Sequence, residues 1–498
     1  MVVGGGITGL AAAYRLVAGR SGRSRPEVTV LESSSRVGGK LRTVTVADAV
    51  VEAGPDSFVL RKPAAADLCK ELGLGAHLLV PAASGAYVWA RGRLEEFPPE
   101  SAFGIPSSLE SIARWPGLSP RGRASATFDL WRGVPRSARD AQDESAAALV
   151  ARRLGREAAG VLVLPVLAGI HAADPERMSV AATFPEIRAW ERGYGSLVRG
   201  ARAARRSAST SGSAPPPLFA TLDGGLERLP AALAEAIGSD AIHVSSPVDR
   251  VEPGADGVRY AVVAGGKAHP ADAVVLAAPA AVAAASLDAH APTAAAAARE
   301  LRTAGVATVT LVFPAGTADV LPEATGFLAP IRSGGSARRG LRVITACTWL
   351  SRKWPDDSFG DRAVVRCFVG RDGEQDALAL DDAELARAVA ADVELATPVG
   401  VAPAASLVTR WPEGMPQYDV GHLDRVARLE DALSADVPGV VVAGAPYRGV
   451  GIADCVRQGD EAAEAVLEHL AGTDDQRAAP GRHPGSDEGR TEEAAWTT

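Results

Sequence analysis

Val2-Val3-Gly4-Gly5-Gly6-Ile7-Thr8-Gly9, continued by Leu10 to Ala18 and then by Val28-Thr29-Val30-Leu31-Glu32, decides how this chain begins to fold. A short apolar run, a glycine turn, an alanine-rich helical stretch and a β-branched run spell strand, turn, helix and strand, a βαβ unit. Gly4, Gly6 and Gly9 form G-x-G-x-x-G, which lets backbone approach a pyrophosphate and seats its charge at the N-terminus of the helix. Glu32 stands 23 residues past Gly9, at the end of the second strand, where a carboxylate accepts hydrogen bonds from a ribose. Only two or three residues precede the first glycine, against about five in a typical strand, which points to a start codon upstream of Met1.

Beyond Glu32 come Gly38 and Gly39, within Arg36-Val37-Gly38-Gly39-Lys40-Leu41-Arg42-Thr43. A nicotinamide enzyme has no need of this second pair. A flavin dinucleotide lying along the sheet needs a second close backbone approach and positive charge beside its diphosphate, which moves the reading from NAD to FAD. The plainer alternative for Arg36 and Arg42 is a solvated surface pair. Strand, glycine loop and helix recur from Val440 to Val456, through Gly444, Gly449, Val450, Gly451 and Ile452. A helix starting near Gly451 would aim its positive dipole end at the flavin pyrimidine ring. Cys455 on that helix reads as packing rather than a flavin link.

The chain has 498 residues, 47% hydrophobic and 22% charged, which suits a soluble globular protein of about three structural units. A net charge of -8 argues against a nucleic-acid coat. Only five of the cations are lysine: Lys40, Lys62, Lys70, Lys267 and Lys353. Cys69, Cys347, Cys367 and Cys455 lie far apart without a C-x-x-C, so neither a zinc site nor a disulfide framework is expected and a reducing cytoplasm fits. The longest apolar run, Ala273 to Leu287, is broken by Pro279 and falls short of the roughly 20 residues of a membrane span. A peripheral membrane contact is left open. Residues 207–217 read as a flexible low-complexity loop and 472–498 as a polar, disordered tail. Further strand signals lie at Ile242 to Val251, Ala273 to Ala278, Thr308 to Phe313, Leu341 to Thr348 and Ala363 to Gly370, with helices over Asp381 to Leu395 and Gly459 to Leu470.

Glu32 to Thr43, Glu52-Ala53-Gly54-Pro55-Asp56-Ser57-Phe58 and Gly449-Val450-Gly451-Ile452 together resemble the FAD-dependent porphyrinogen oxidases of the amine-oxidase-like flavoproteins. Leu164 to Pro175, Phe184-Pro185, Tyr194-Gly195-Ser196-Leu197 and Trp411 to His422 are similar to that family's middle domain and late substrate motif, so the resemblance runs from Met1 to about Leu470. Two stretches depart from the pattern. His171-Ala172-Ala173-Asp174 stands where many relatives have Tyr-Ala-Gly-Asp, and Ala86 stands before Tyr87 where membrane-bound relatives carry a propionate-binding arginine. Arg61-Lys62-Pro63 and Thr345 to Trp349 resemble instead the soluble Gram-positive branch, which oxidises coproporphyrinogen III.

The resemblance implies an α/β fold. A Rossmann-like FAD-binding domain of the amine-oxidase and protoporphyrinogen-oxidase type would be assembled from residues 1–60, 218–290 and 430–470. A mixed-sheet substrate domain would come from 61–96 and 291–429, and a mostly helical insertion, membrane-facing in relatives, from 97–206. FAD contacts fall on Gly4, Gly5, Gly6, Thr8, Gly9 and Glu32, then on Arg36, Gly38, Gly39, Lys40, Gly54, Pro55, Asp56 and Ser57. The backbone of Val248 would meet adenine, and Gly444, Gly449, Val450, Gly451 and Ile452 the rest of the cofactor. Gly169, Ile170 and Phe368 become neighbours of the macrocycle and Lys62 a contact to a substrate carboxylate; the bland alternatives are ordinary core and surface. His422 is expected to be structural, with no metal site.

The activity implied is six-electron oxidation of coproporphyrinogen III to coproporphyrin III in haem biosynthesis, with dioxygen reduced to hydrogen peroxide and a transient contact with a ferrochelatase. Protoporphyrinogen IX is the alternative substrate. Two other readings stay open: an amine oxidase, whose usual lysine near flavin N5 could be supplied only by Lys353, in what reads as a loop, and a non-catalytic FAD-binding scaffold.

Overall fold

The computed structural model describes residues 1–19, 25–98, 100–135, 142–209, 217–255, 257–331 and 340–478. Most of the 207–217 loop and of the 472–498 tail therefore lies outside the described residues. The described parts of both differ from expectation. Ser207 to Ser209 close the helix Leu197–Ser209, and the last helix runs Ile452–Ala478 instead of stopping near Leu470. Gly472 weakens a helix by about 1 kcal/mol without ending it.

Val2–Val3 sits inside a five-stranded parallel sheet ordered Ile242–His243, Val30–Leu31, Val2–Val3, Val274–Leu276, Val440–Val442. Its valine-rich runs have no polar face because helices cover both sides. The helices Ile7–Ala18 and Ile452–Ala478 pack on one side through Leu10, Ala11, Leu16, Val456 and Ala463. Strand order reverses at Val2–Val3, whose neighbours on its two sides come from residues 30–31 and 274–276. In an open parallel sheet a ligand crevice opens beyond the carboxyl end of the strand at such a switch point, here at Gly4 to Gly6.

A second, seven-stranded mixed sheet runs Ala405–Pro416, Thr303–Val312, Val364–Val369, Ile344–Trp349, Gly326–Leu328, Tyr87–Ala90, Arg93–Glu96. Alternation gives it two faces. Phe327, Cys347, Cys367 and Val309 are paired across successive strands and buried against Leu385, Val389 and Val393 of the helix Asp382–Ala396. That helix starts as expected, at a capping box formed by Asp381 and Glu384. The opposite face carries the next row, Leu328, Ala346, Phe368 and Thr308, and three of its four members are only half-buried.

The third body is mostly helical. Among the described residues, eight α-helices between Leu109 and Ser209 close on Leu149, Val150, Leu167, Ile187 and Val198 around a buried Arg153–Asp129 ion pair at 2.6 Å. A π-helical turn, Ala159–Val163, leads into the helix Leu164–His171, where Pro165 sits in the first turn and needs no N–H partner.

Candidate active site

Two glycine turns meet in space. Gly38 N–H donates to Gly5 O at 2.8 Å, and Gly6 and Gly38 form a parallel bridge. A Cβ on Gly39, at φ +57°, would lie 3.2 Å from Gly6 Cα, and one on Gly9 would lie 1.9 Å from Gly4 O, so the turns close only as glycine. Around the Cβ position of Gly6 nothing lies within 4 Å: the cradle opens outward there. The helix Ile7–Ala18 has no side-chain cap and no acid in its first turn, which leaves its positive end directed into that opening. Glu32, 8% exposed, closes the cradle from behind, accepting Gly5 N–H at 2.7 Å and Ser34 N–H and Oγ–H each at 2.7 Å. An open, anion-favouring pocket walled by two glycine turns fits a dinucleotide diphosphate.

Four charged residues that the sequence reading places at cofactor or substrate have partners within the protein. The guanidinium of Arg36 donates to the carbonyls of Val37 (2.9 Å), Gly39 (2.6 Å) and Leu41 (3.2 Å). A turn with two positive-φ glycines points its carbonyls inward, and Arg36 satisfies them while also lying 3.4 Å from Glu227 Oε1. Asp56 accepts from Lys353 Nζ at 2.9 Å and lies 3.5 Å from Arg366. Burial alone would raise its carboxyl, but those two cations hold it well below the usual carboxylate range. Lys353 is no loop residue: it ends the short helix Leu350–Lys353, is 9% exposed, and lies 4.7 Å over the Trp354 ring, so it is unavailable as a flavin-N5 lysine. Lys62, expected at a substrate carboxylate, makes a bidentate pair with Asp454, 2.8 Å to each oxygen. Its neighbour Arg61 lies 5.5 Å over the Phe103 ring and has no carboxylate partner among the described residues.

Behind the Gly54 to Ser57 loop, Arg366 donates to Glu52 O at 3.1 Å and Gly54 O at 2.7 Å, leaving Gly54, Pro55 and Ser57 half-buried toward the front. Lys40 is exposed along its length, yet protein closes around its ammonium, which donates to Gly414 O across the junction of the two sheets; burial lowers its pKa. Past the strand Val440–Val442, Gly444 and Gly449 both have φ +124°, and the helix begins at Ile452. Thr8 Oγ1 would be 3.4 Å from a Cβ on Gly444, so this loop adjoins the start of the first helix. Cys455 is buried against Gly449 O and its thiol is pushed up to about 11 by burial: it packs. Val248 follows Ser246, whose N–H donates to Glu32 O at 2.8 Å, and begins the edge strand Val248–Pro253 near the Glu32 end of the cradle.

The half-buried face of the second sheet lies opposite the end of the helix Leu164–His171. A Cβ on Gly169 would be 3.8 Å from Leu328 Cδ2, and Ile170 is 51% exposed, far from ordinary core. Phe368 lies two strands along the same row and stacks on Arg366, ring to guanidinium 4.9 Å. Gly169 thus adjoins the sheet row of Leu328, Ala346 and Phe368, and Ile170 follows it at the helix end. The departure at Ala173 costs nothing locally, because the left-handed residue of that turn is Ala172, at φ +45°. His422 is buried, donates Nε2–H to Tyr447 O at 2.7 Å, and stacks on Tyr418 with ring centroids 3.8 Å apart, a structural setting. Among the described residues no acid, histidine and cysteine group could hold a metal, and no helix is long and apolar enough to cross a membrane.

Arg366 and Tyr418 were not singled out from sequence. An arginine inside Val364-Val365-Arg366-Cys367-Phe368-Val369 was the available signal, since a charge in an otherwise buried strand needs partners.

Residues 7–467 match the family model described as flavin containing amine oxidoreductase. The coproporphyrinogen III oxidase of Bacillus subtilis (strain 168) is 34% identical over 94% of this chain and 98% of its own length. That of Mycobacterium tuberculosis (strain ATCC 25618 / H37Rv) is 35% identical over 94% and 97%. A crystal structure from Exiguobacterium sp. 255-15, assigned provisionally as a protoporphyrinogen oxidase, superposes with a TM-score of 0.81 at 32% identity, covering 94% of this chain and 98% of that one.

Proposed function

The chain belongs to the flavin containing amine oxidoreductase family and is an FAD-dependent oxidoreductase of the haem pathway, and on that premise we propose that it oxidises coproporphyrinogen III to coproporphyrin III. The observation that carries the substrate reading is the apolar face of Leu328, Ala346 and Phe368 set against Gly169 and Ile170, a surface suited to a flat macrocycle rather than to a small amine. When bound, FAD supplies the hydride acceptor for each two-electron step; three steps remove six electrons and six hydrogens, matched by three dioxygen molecules leaving as hydrogen peroxide.

The residues of the chain supply placement. The Gly4 to Gly9 and Gly38–Gly39 turns seat the diphosphate at a helix N-terminus, and the remaining lone pairs of Glu32 serve the ribose. Ile170, Leu328 and Phe368 keep water from the macrocycle, which is where rate is gained in a reaction with little acid-base demand. Arg61, with no acid of its own, is the rim cation best placed for a propionate, the part earlier expected of Lys62.

The test is a side-by-side oxidation assay, porphyrin fluorescence against time, with coproporphyrinogen III and protoporphyrinogen IX. Higher kcat/KM for the former is expected; preference for the latter would move the substrate to the one named for the Exiguobacterium structure. Anaerobic mixing separates catalysis from scaffolding: bleaching of the flavin band is expected, and porphyrinogen binding without bleaching would refute catalysis.

A further inference from the structure

The segment Gln417 to His422 touches all three bodies of the molecule. Gln417 Nε2 donates to His171 O at 3.3 Å and to Met415 O at 3.0 Å, and Ser179 N–H donates to Tyr418 O at 2.8 Å, so the segment holds the end of the Leu164–His171 helix against the second sheet. Tyr418, 2% exposed, extends the other way: its hydroxyl donates to Ala445 O at 2.8 Å and accepts Gly449 N–H at 2.7 Å, both on the glycine loop that precedes the last helix. Its ring lies between His171 (centroids 5.7 Å) and His422 (3.8 Å, stacked). Burial raises the phenol well above its ordinary pKa, so the hydroxyl stays a donor.

We infer that Tyr418 is a positioning residue that couples the substrate end of the Leu164–His171 helix, Gly169 and Ile170, to the FAD-facing loop Gly444 to Gly451. The inference rests on the FAD and porphyrinogen reading above. One hydroxyl spans two backbone groups four residues apart, and thereby fixes the curvature of a loop that contains glycines at φ +124° on both sides of the contact. The ring of the same residue is held by His171, immediately after Ile170. Displacement of the helix end therefore moves the phenol, and the phenol moves the loop.

Tyr418→Phe keeps the ring stack and removes only the two hydrogen bonds. Tyr447→Phe is the control, because the Tyr447 hydroxyl is equally buried on the same loop and has no hydrogen-bond partner among the described residues. Expected for Tyr418→Phe are a FAD Kd raised tenfold or more in reconstitution of apoprotein, a shifted flavin reduction potential, and a kcat lowered with KM nearly unchanged; Tyr447→Phe should keep FAD affinity within twofold. A second measurement needs no variant: in wild-type holoenzyme, binding of coproporphyrin should slow hydrogen exchange in Gly444 to Gly451. Wild-type FAD affinity and potential in Tyr418→Phe with only a lower Tm, equal weakening in Tyr447→Phe, or unchanged exchange in that loop with coproporphyrin bound would each overturn the inference. Failure of coproporphyrin to bind at all would strike the substrate reading instead, while the FAD arm still decides on Tyr418.

Discussion

Gly6→Ala separates folding from cofactor binding. Gly6 has φ −73° and ψ 175°, a conformation alanine adopts freely, and no atom of the chain lies within 4 Å of the added methyl. The apoprotein should therefore gain slightly, by about 0.4–1 kcal/mol, because alanine restricts the unfolded chain. Unfolding entropy near 2.1 cal/mol/K per residue makes that a rise in Tm of about 1 °C or less for a protein of this size. The methyl points into the cradle opening, where a diphosphate needs bare backbone; overpacking of about 1–3 kcal/mol there weakens FAD roughly 5- to 150-fold. Differential scanning fluorimetry of apoprotein gives the first number and quenching of flavin fluorescence on titration the second. A Tm lowered by several degrees, or an unaltered FAD Kd, would refute the assignment of this opening to the diphosphate.

Gly9→Ala should behave oppositely, lowering apoprotein Tm, since its Cβ would meet Gly4 O at 1.9 Å inside the protein itself. Arg61→Ala should raise KM for coproporphyrinogen III about tenfold or more, by loss of a charge-assisted contact, whereas Lys62→Ala should shift stability by only about 0–1 kcal/mol because Lys62 is half exposed in its pair with Asp454; steady-state kinetics and urea melts distinguish them. Burial pushes both His171, helped by Lys62, and His422 down to about 4, so the unfolded chain binds more protons between pH 4 and 6.5 and stability falls as pH falls through that window, by about 3 kcal/mol per histidine at most. Glu52, raised by burial to about 7, works against this by losing stability as pH rises from 4.5; Glu52→Gln should steepen the acid loss in urea melts at pH 5 and 7.

What could be read from sequence was what is decided locally. The opening βαβ unit, the paired glycine turns and the start of the last helix follow from spacing, because close backbone approach admits glycine alone and helix caps act within a turn. Gly169, Ile170 and Phe368 were placed by resemblance, and their common surface follows from strand register that no single segment contains. The partners of charges were illegible for the same reason. Lys353 lies 297 residues from Asp56 and Asp454 lies 392 from Lys62, so a motif that names Asp56 or Lys62 says nothing of what neutralises it. The partners of Arg36 were hidden in the same way: the turn's own inward carbonyls lie nearest, and Glu227 stands 191 residues away.

The parallel sheet is completed by Val440–Val442, although its central strand, Val2–Val3, is made long before it. At roughly 5–20 residues per second, about 20–90 seconds separate translation of Val2–Val3 from that of the outermost strand. Once Val274–Leu276 has been made, its outer edge stays unpaired for about 8–33 seconds of that interval, and the glycine loop that follows Val440–Val442 does not yet exist. The complete flavin cradle therefore cannot template this sheet before Val440–Val442 is made, and until then an apolar valine edge is open to other chains. Expression yield should respond more to slowed elongation and chaperone supply than to flavin added during synthesis.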